Sequence, residues 1–340
     1  MRIAQIAPPW YPVPPHGYGG IELVVALLAD GLVARGHDVT LFASGGSGTR
    51  ARLVSPLAEP PPPALLGEAW YGTYHALATY EQLDDRFDIV HDHHAPAGPA
   101  IASRGVGVPV VHTLHGPWTE NTRRFYSLVD EHVHLVAISE AQAADNPTVR
   151  YAGVVHNGID LDEYPLRRDK DDFLLFIGRA NPEKGPAIAV EVARRAGLPL
   201  TMIVKRQESL ERAYWDEVVA PNLHDGVTVH ESVSHEQKVD LLGRARALVF
   251  PIQWPEPFGL VMAEAMACGT PVVACPAGAA VELVEDGVTG FLRSSIDELA
   301  AAVAEVGVCS PEACRARVVA RFSSVSMLDG YEALYRSLLG

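Results

Sequence analysis

Residues 250–274 read FPIQWPEPFGLVMAEAMACGTPVVA, and their punctuation decides the fold. An apolar run at 247–250 has strand character and empties into a loop broken by Pro251, Pro255 and Pro257. Helical spacing then begins near Phe258 and stops at Gly269, because Pro271 forbids continuation. A second short apolar run, 272–274, follows at once. Strand, helix and strand in close succession predict a parallel βαβ unit. Two carboxylates mark it: Glu256 stands in the loop before the helix, and Glu264 lies about two turns inside. A helix N-terminus exposes unpaired N–H groups with partial positive charge. Glu256 is therefore either an ordinary dipole partner or a carboxylate aimed at a bound group.

Outward from this stretch the same alternation repeats. Strand-like runs occur at 173–177, 200–204 and 227–230 in the second half, and at 3–7, 39–43, 89–91, 110–113, 133–138 and 153–156 in the first, with helical spacing between most of them. The stretch 157–165, followed by the charged run 167–172, interrupts the pattern and reads as a linker. The expectation is an α/β protein of two Rossmann-like, doubly wound parallel-sheet domains facing across a cleft. The first covers 1–165 and the second 166–322, with a tail helix over about 323–340 crossing back onto the first. Ligands of such sheets bind at the carboxyl ends of the strands.

Composition narrows the partners. The chain has 340 residues, enough for two cores, and a formal net charge of −15. Residues 1–165 carry nine Arg, no Lys and eighteen Asp or Glu. An acidic chain of this kind lacks the basic footprint of a nucleic-acid binder or of a protein docked on anionic membrane. Only four lysines stand against twenty-three arginines, which reads as compositional bias. No apolar run reaches the ~18 residues a membrane span needs, and the opening residues enter a strand directly. Cys268, Cys275, Cys309 and Cys314 form no C-x-x-C pair, so reduced thiols and a cytoplasmic location are expected.

Three further loops carry candidate chemistry. Strand 173–177 runs into Gly178-Arg-Ala-Asn-Pro-Glu-Lys-Gly185. There Arg179 offers a planar fork and Lys184 a point charge, a pair suited to a diphosphate. His16-Gly-Tyr-Gly-Gly20 precedes a helix, so Gly19 and Gly20 would let backbone approach a phosphate, although the spacing is that of no Walker or G-x-G-x-x-G loop. His115 follows the strand at 110–113, where an active-site loop belongs. His91-Asp-His-His94 contains metal-ligand types, but lacks a second ligand pair at a recognisable spacing and reads as a strand-end cluster. No metal site and no cofactor are expected. The acidic pair Asp160 and Asp162 falls in the linker and is set aside.

Together these residues resemble family 4 of the retaining glycosyltransferases, with its two-Rossmann-domain B-type fold. The family's E-x7-E is matched by Glu256 and Glu264, its G-R-x4-K-G by 178–185, its N-terminal Gly-Gly-x-Glu by 19–22, its catalytic-loop histidine by His115, and its interdomain segment by 157–160. The resemblance implies a nucleotide-diphosphate sugar donor, UDP by family frequency, bound mainly by the second domain. Arg179 and Lys184 would neutralise the leaving diphosphate in place of a metal ion, and Glu264 would hold the ribose. Glu256 with the backbone of Phe258, Gly259 and Leu260 would grip the donor sugar and distal phosphate, while Gly19, Gly20 and His115 approach from the first domain. Two positions depart from the pattern: Val204-Lys205-Arg206-Gln207 and Glu231 stand where members usually carry glycines. Lys205 would add a phosphate or base contact. The lysine-free first domain points to a soluble acceptor such as a natural-product or antibiotic intermediate. Glycolipid or capsule synthesis, a sugar-nucleotide epimerase and a phosphorylase of this fold are the competing enzymes. A non-catalytic nucleotide-sugar binder would keep Arg179 and Lys184 but not need His115.

Overall fold

A computed structural model describes residues 1–17 and 19–340; Tyr18, in the glycine-rich turn singled out above, lies outside the described residues. The chain divides into two compact units, Met1–Gly158 with Ser324–Gly340, and Ile159–Ser323.

In the first unit, β1 (Arg2–Ile6), β2 (Asp38–Phe42), β3 (Arg52–Val54), β4 (Ile89–Asp92), β5 (Val110–Leu114), β6 (His134–Ala137) and β7 (Tyr151–Val154) form one sheet in the order β3-β2-β1-β4-β5-β6-β7. Every adjacent pair is parallel. The order reverses direction between β1 and β4, which is the topological switch point. The helix Gly20–Ala34 and the tail helix Ser324–Leu339 pack together, with Leu328 filling the space over Gly31. Two differences from the sequence reading have simple causes. The edge strand β3 is three residues of mostly exposed chain with no apolar run to reveal it. The last strand begins at Tyr151, earlier than the apolar run at 153–156, because pairing with β6 shifts register between Leu135 and Val136.

The second unit repeats the plan with six strands. β8 (Leu174–Arg179), β9 (Leu200–Lys205), β10 (Val227–His230), β11 (Ala247–Phe250), β12 (Val272–Ala274) and β13 (Gly290–Leu292) are ordered β10-β9-β8-β11-β12-β13, all parallel, with the switch point between β8 and β11. The unit begins at Ile159, not at residue 166. Side-chain ties explain the earlier break: Tyr164 bonds Glu264, and the Arg315 guanidinium donates to the carbonyl of Leu161 at 3.1 Å. Asp160, in the same segment, caps a short turn by accepting the N–H of Asp162 at 3.0 Å. The helix after β11 runs from Leu260 to Ala267, two residues later than expected from the sequence, because Gly259 takes the N-cap. No helix among the described residues is long and apolar enough to cross a membrane.

Candidate active site

The loops that leave β8 and β11 flank the second unit's switch point, and the structure ties them together. After β8, Asn181 caps a single turn, Pro182–Lys184, by accepting the N–H of Lys184 at 3.0 Å. Gly185 follows with φ +70; a Cβ there would lie 2.3 Å from the carbonyl oxygen of Pro251, so only glycine lets the two loops meet. Across the junction the Lys184 ammonium is ion-paired with Glu256 Oε2, the same oxygen that accepts the indole N–H of Trp254 at 2.9 Å. The Trp254 ring lies 5.0 Å from the ammonium. With side-chain exposures of 18% and 9%, Lys184 and Glu256 are a largely buried pair. Burial and this ion pair make Glu256 more than a solvated partner of a helix dipole.

The other residues expected in this unit are placed as follows. Arg179, last in β8, is in register with Lys205, last in β9. Its guanidinium donates to Glu211 at 2.5 Å and to Glu208 at 2.9 Å, so an anionic ligand must compete with two carboxylates. Burial works to raise the Glu211 carboxyl, but the backbone N–H of Glu208 and the Arg179 charge outweigh it and hold its pKa below the ordinary value. Glu264 is buried, and its Oε1 accepts from the Tyr164 hydroxyl and from the Lys238 ammonium, each at 2.8 Å. Burial, with Glu264 adjoining, pushes the Tyr164 phenol well up, so it remains a donor. Phe258 is buried against Phe322, Gly259 caps the helix and Leu260 opens it. The two departures from the family pattern meet each other: Arg206 is ion-paired with Glu231 and lies 4.6 Å over the Trp215 ring.

Glu256 is also fixed from behind. Its carbonyl accepts the N–H of Ala279 at 2.8 Å, and a Cβ added at Gly278 would sit 2.3 Å from both its nitrogen and its oxygen. Gly278→Ala is expected to force the carboxylate loop off its place, costing about 2 kcal/mol of stability and about tenfold in turnover. Thermal unfolding with a turnover assay checks this, and a variant equal to wild type in both would show that the loop is not held by this contact.

In the first unit the corresponding loops follow β1, β4 and β5. Trp10, His93, His94, His115 and Trp118 help to line a pocket of about 180 Å³ there. Gly19 is the N-cap of the helix that Gly20 begins. His115 reaches the surface in part, with Nε2 at 2.9 Å from Nδ1 of buried His93. Burial pushes the pKa of His115, His94 and His112 down to about 3 and that of His75 to about 4, and holds His91 and His93 well below the ordinary value. Asp92 moves the other way, to about 7, because burial outweighs its bonds from the Tyr80 hydroxyl and the His94 N–H. Among the described residues no three His, Cys, Asp or Glu side chains are grouped to hold a metal ion. Instead, His91 bonds the Tyr335 hydroxyl at 2.5 Å and the Thr113 hydroxyl at 2.7 Å beneath the tail helix.

Sequence reasoning missed Lys238, Tyr164, Trp254 and Glu211, each of which touches an expected site residue. Lysine scarcity was the available signal. Of four lysines, Lys184 and Lys238 pair with the two signature glutamates and Lys205 ends a strand beside Arg179; Lys170 instead binds the carbonyls of Gly243 and Cys268.

Residues 160–316 match the family described as glycosyl transferases group 1, and residues 18–163 match glycosyltransferase family 4. A D-inositol 3-phosphate glycosyltransferase of Mycolicibacterium smegmatis is 30% identical, over 93% of this chain and 86% of its own. The chain belongs to glycosyltransferase family 4. A protein of the same name from an Arthrobacter species is 29% identical to this glycosyltransferase, covering 81% of this chain and 78% of its own. The crystal structure of AviGT4, a glycosyltransferase involved in avilamycin A biosynthesis, is 27% identical with a TM-score of 0.77, spanning 100% of this chain and 98% of that one. Anabaena HepE in complex with UDP-glucose superposes with a TM-score of 0.76 at 21% identity, over 99% of this chain and 100% of that one, a likeness of fold. Two parallel-sheet α/β units and these neighbours give the glycosyltransferase the B-type fold.

Proposed function

We propose that this glycosyltransferase moves a sugar, with retention and without a metal ion, from a nucleotide-diphosphate sugar to a hydroxyl of a small soluble acceptor. The observation that carries this reading is the Lys184–Glu256 junction at the switch point of the second unit. A lysine bonded to a carboxylate in the free protein is a charge already positioned for a diphosphate, and Arg179 lies on the strand from which that loop departs. Together they supply the positive charge that a metal ion would otherwise bring to the leaving group. The backbone of Phe258, Gly259 and Leu260, at a helix N-terminus, suits the sugar and distal phosphate. Glu264, oriented by Lys238 and Tyr164, suits the ribose hydroxyls, and Lys205 adds a contact beside Arg179. In the first unit, Gly19 and Gly20 suit close backbone approach, and His115 contacts a substrate hydroxyl.

In the transfer, the bond from the anomeric carbon to the diphosphate oxygen breaks and a bond to the acceptor oxygen forms. The acceptor's proton passes to the departing diphosphate. Retention follows when attack comes on the face the diphosphate leaves, and no carboxylate stands out as a covalent nucleophile among the candidate residues. UDP is the favoured nucleotide: HepE was solved with UDP-glucose and with UDP and glucose. AviGT4, from a natural-product pathway, supports a soluble natural-product acceptor, and the inositol-phosphate relatives support a small polar one. Four unpaired, buried cysteines fit a cytoplasmic enzyme.

Release of nucleoside diphosphate from UDP-, GDP-, ADP- and dTDP-glucose, measured with a chelator present, tests the reading. UDP-glucose is expected to turn over best, at the same rate with and without chelator. Turnover of none of the four would overturn the donor assignment, and activity lost to chelator but restored by magnesium would overturn metal independence.

A further inference from the structure

We infer that Gln5 and His93 are positioning residues that fix His115 in the tautomer protonated at Nε2, so that Nδ1 is the ring nitrogen offered to a substrate hydroxyl. The inference rests on the proposed contact between His115 and substrate, but its geometry stands apart from that contact. Gln5 lies in β1 and His93 just beyond β4, the strands on either side of the switch point, and both are buried. The Gln5 amide oxygen is 3.1 Å from His93 Nε2. An amide oxygen only accepts, so the proton of His93 is on Nε2. A neutral imidazole protonated there keeps its lone pair at Nδ1, and that atom faces His115 Nε2 at 2.9 Å. His115 therefore donates from Nε2, and its own lone pair is at Nδ1. Protonation at both nitrogens of His93 would place its Nδ1–H against the Nε2–H of His115, and the burial that depresses both pKa values disfavours a second proton on either ring.

The far side of Gln5 continues in the same direction. Its amide nitrogen donates to the Tyr335 hydroxyl at 3.1 Å and faces His91 Nδ1 at 3.4 Å. Tyr335 in turn donates to His91 Nδ1 at 2.5 Å. His91 is then protonated at Nε2 and donates to the Thr113 hydroxyl at 2.7 Å, which meets the Tyr331 hydroxyl at 2.7 Å. From Tyr335 and His91 through Gln5 and His93 to the loop histidine, each donor meets an acceptor. A reversed Gln5 amide would reverse the series and place the His115 proton on Nδ1, so the two possibilities differ in an observable way.

Long-range proton–nitrogen correlation spectra of the intact chain, labelled with ¹⁵N-histidine, read the tautomers directly. His115 and His93 are both expected as neutral rings protonated at Nε2; protonation of His115 at Nδ1 overturns the inference. In a His93→Phe variant, which keeps a ring but removes the acceptor, His115 is expected to become a mixture of tautomers. Its kcat for UDP-glucose turnover should fall by about tenfold while KM stays within about twofold. A purely structural role for His93 would lower stability but leave tautomer and kcat unmoved, and that result also overturns the inference. If His93→Phe does not fold, the wild-type spectrum alone decides. Failure of the wild type to turn over any nucleotide sugar would refute the proposed function and leave the tautomer measurement standing.

Discussion

Lys184→Ala is expected to lower the stability of the second unit by about 3 kcal/mol and to reduce sugar transfer by about a hundredfold or more. The stability loss arises from Glu256, whose side chain is 9% exposed and shares one oxygen between the Lys184 ammonium and the Trp254 indole. Removing the ammonium leaves a buried carboxylate that has lost its charge partner. The transfer loss arises from the leaving group, because charge builds on the diphosphate as the anomeric bond breaks and Lys184 is the cation fixed nearest to Glu256. The two effects separate in the double variant Lys184→Ala with Glu256→Gln. A neutral amide needs no counter-charge, so most of the stability should return while turnover stays low. Urea unfolding and UDP-glucose turnover, measured on wild type, single and double variants, check both parts. A single variant as stable as wild type would show that the pair is solvated, and a double variant with restored turnover would show that neither charge serves the chemistry.

Acidification should weaken the first unit sharply. His75, His91, His93, His94, His112 and His115 are all held neutral in the folded chain. Their pKa values are lowered relative to the unfolded value near 6.5, so the unfolded chain binds more protons as pH falls below about 6.5. The stability they contribute is full above that pH and is lost on acidification, at about 1.4 kcal/mol per pH unit for each histidine. Asp92 opposes the trend: with its pKa raised to about 7, its contribution is present below the ordinary carboxylate value and is lost as pH rises towards 7. One carboxyl against six imidazoles leaves a net loss on the order of 5 kcal/mol between pH 7.5 and 5.5. Hydrogen exchange should show the loss in residues 1–158 and 324–340, and none of the same origin in 159–323, whose histidines have no such burial. Equal protection of the first unit at the two pH values would contradict this account.

Periodicity and punctuation made the architecture legible. Apolar runs separated by helical spacing located eleven of the strands, since a parallel sheet covered on both faces needs continuous apolar strands. What escaped were two edge strands, β3 and β13, three residues each and opened by Arg52 and Gly290, whereas the equally short β12 is apolar throughout. The residues of the site were legible as motifs because Glu256 with Glu264, and Arg179 with Lys184, stand at fixed spacings within two short segments of the sequence. Their partners were not, because contact between positions far apart in sequence leaves no local signature: Lys184 meets Glu256, Lys238 meets Glu264 and Glu231 meets Arg206 only through the order of the sheet. The histidines at 91–94 show the same limit. Their strand-end position was visible, but the buried series through Gln5 to the tail helix depends on parallel register between β1, β4 and β5.

Calorimetric titration of the intact protein with UDP and with GDP, in the presence of a chelator, tests the central claim most directly. Wild type is expected to bind at least one nucleoside diphosphate, UDP the more tightly. Lys184→Ala is expected to weaken that binding by about thirtyfold or more, the worth of one charge-assisted contact to phosphate. Binding of neither nucleotide by wild type, or equal affinity in wild type and a folded Lys184→Ala variant, would contradict the account.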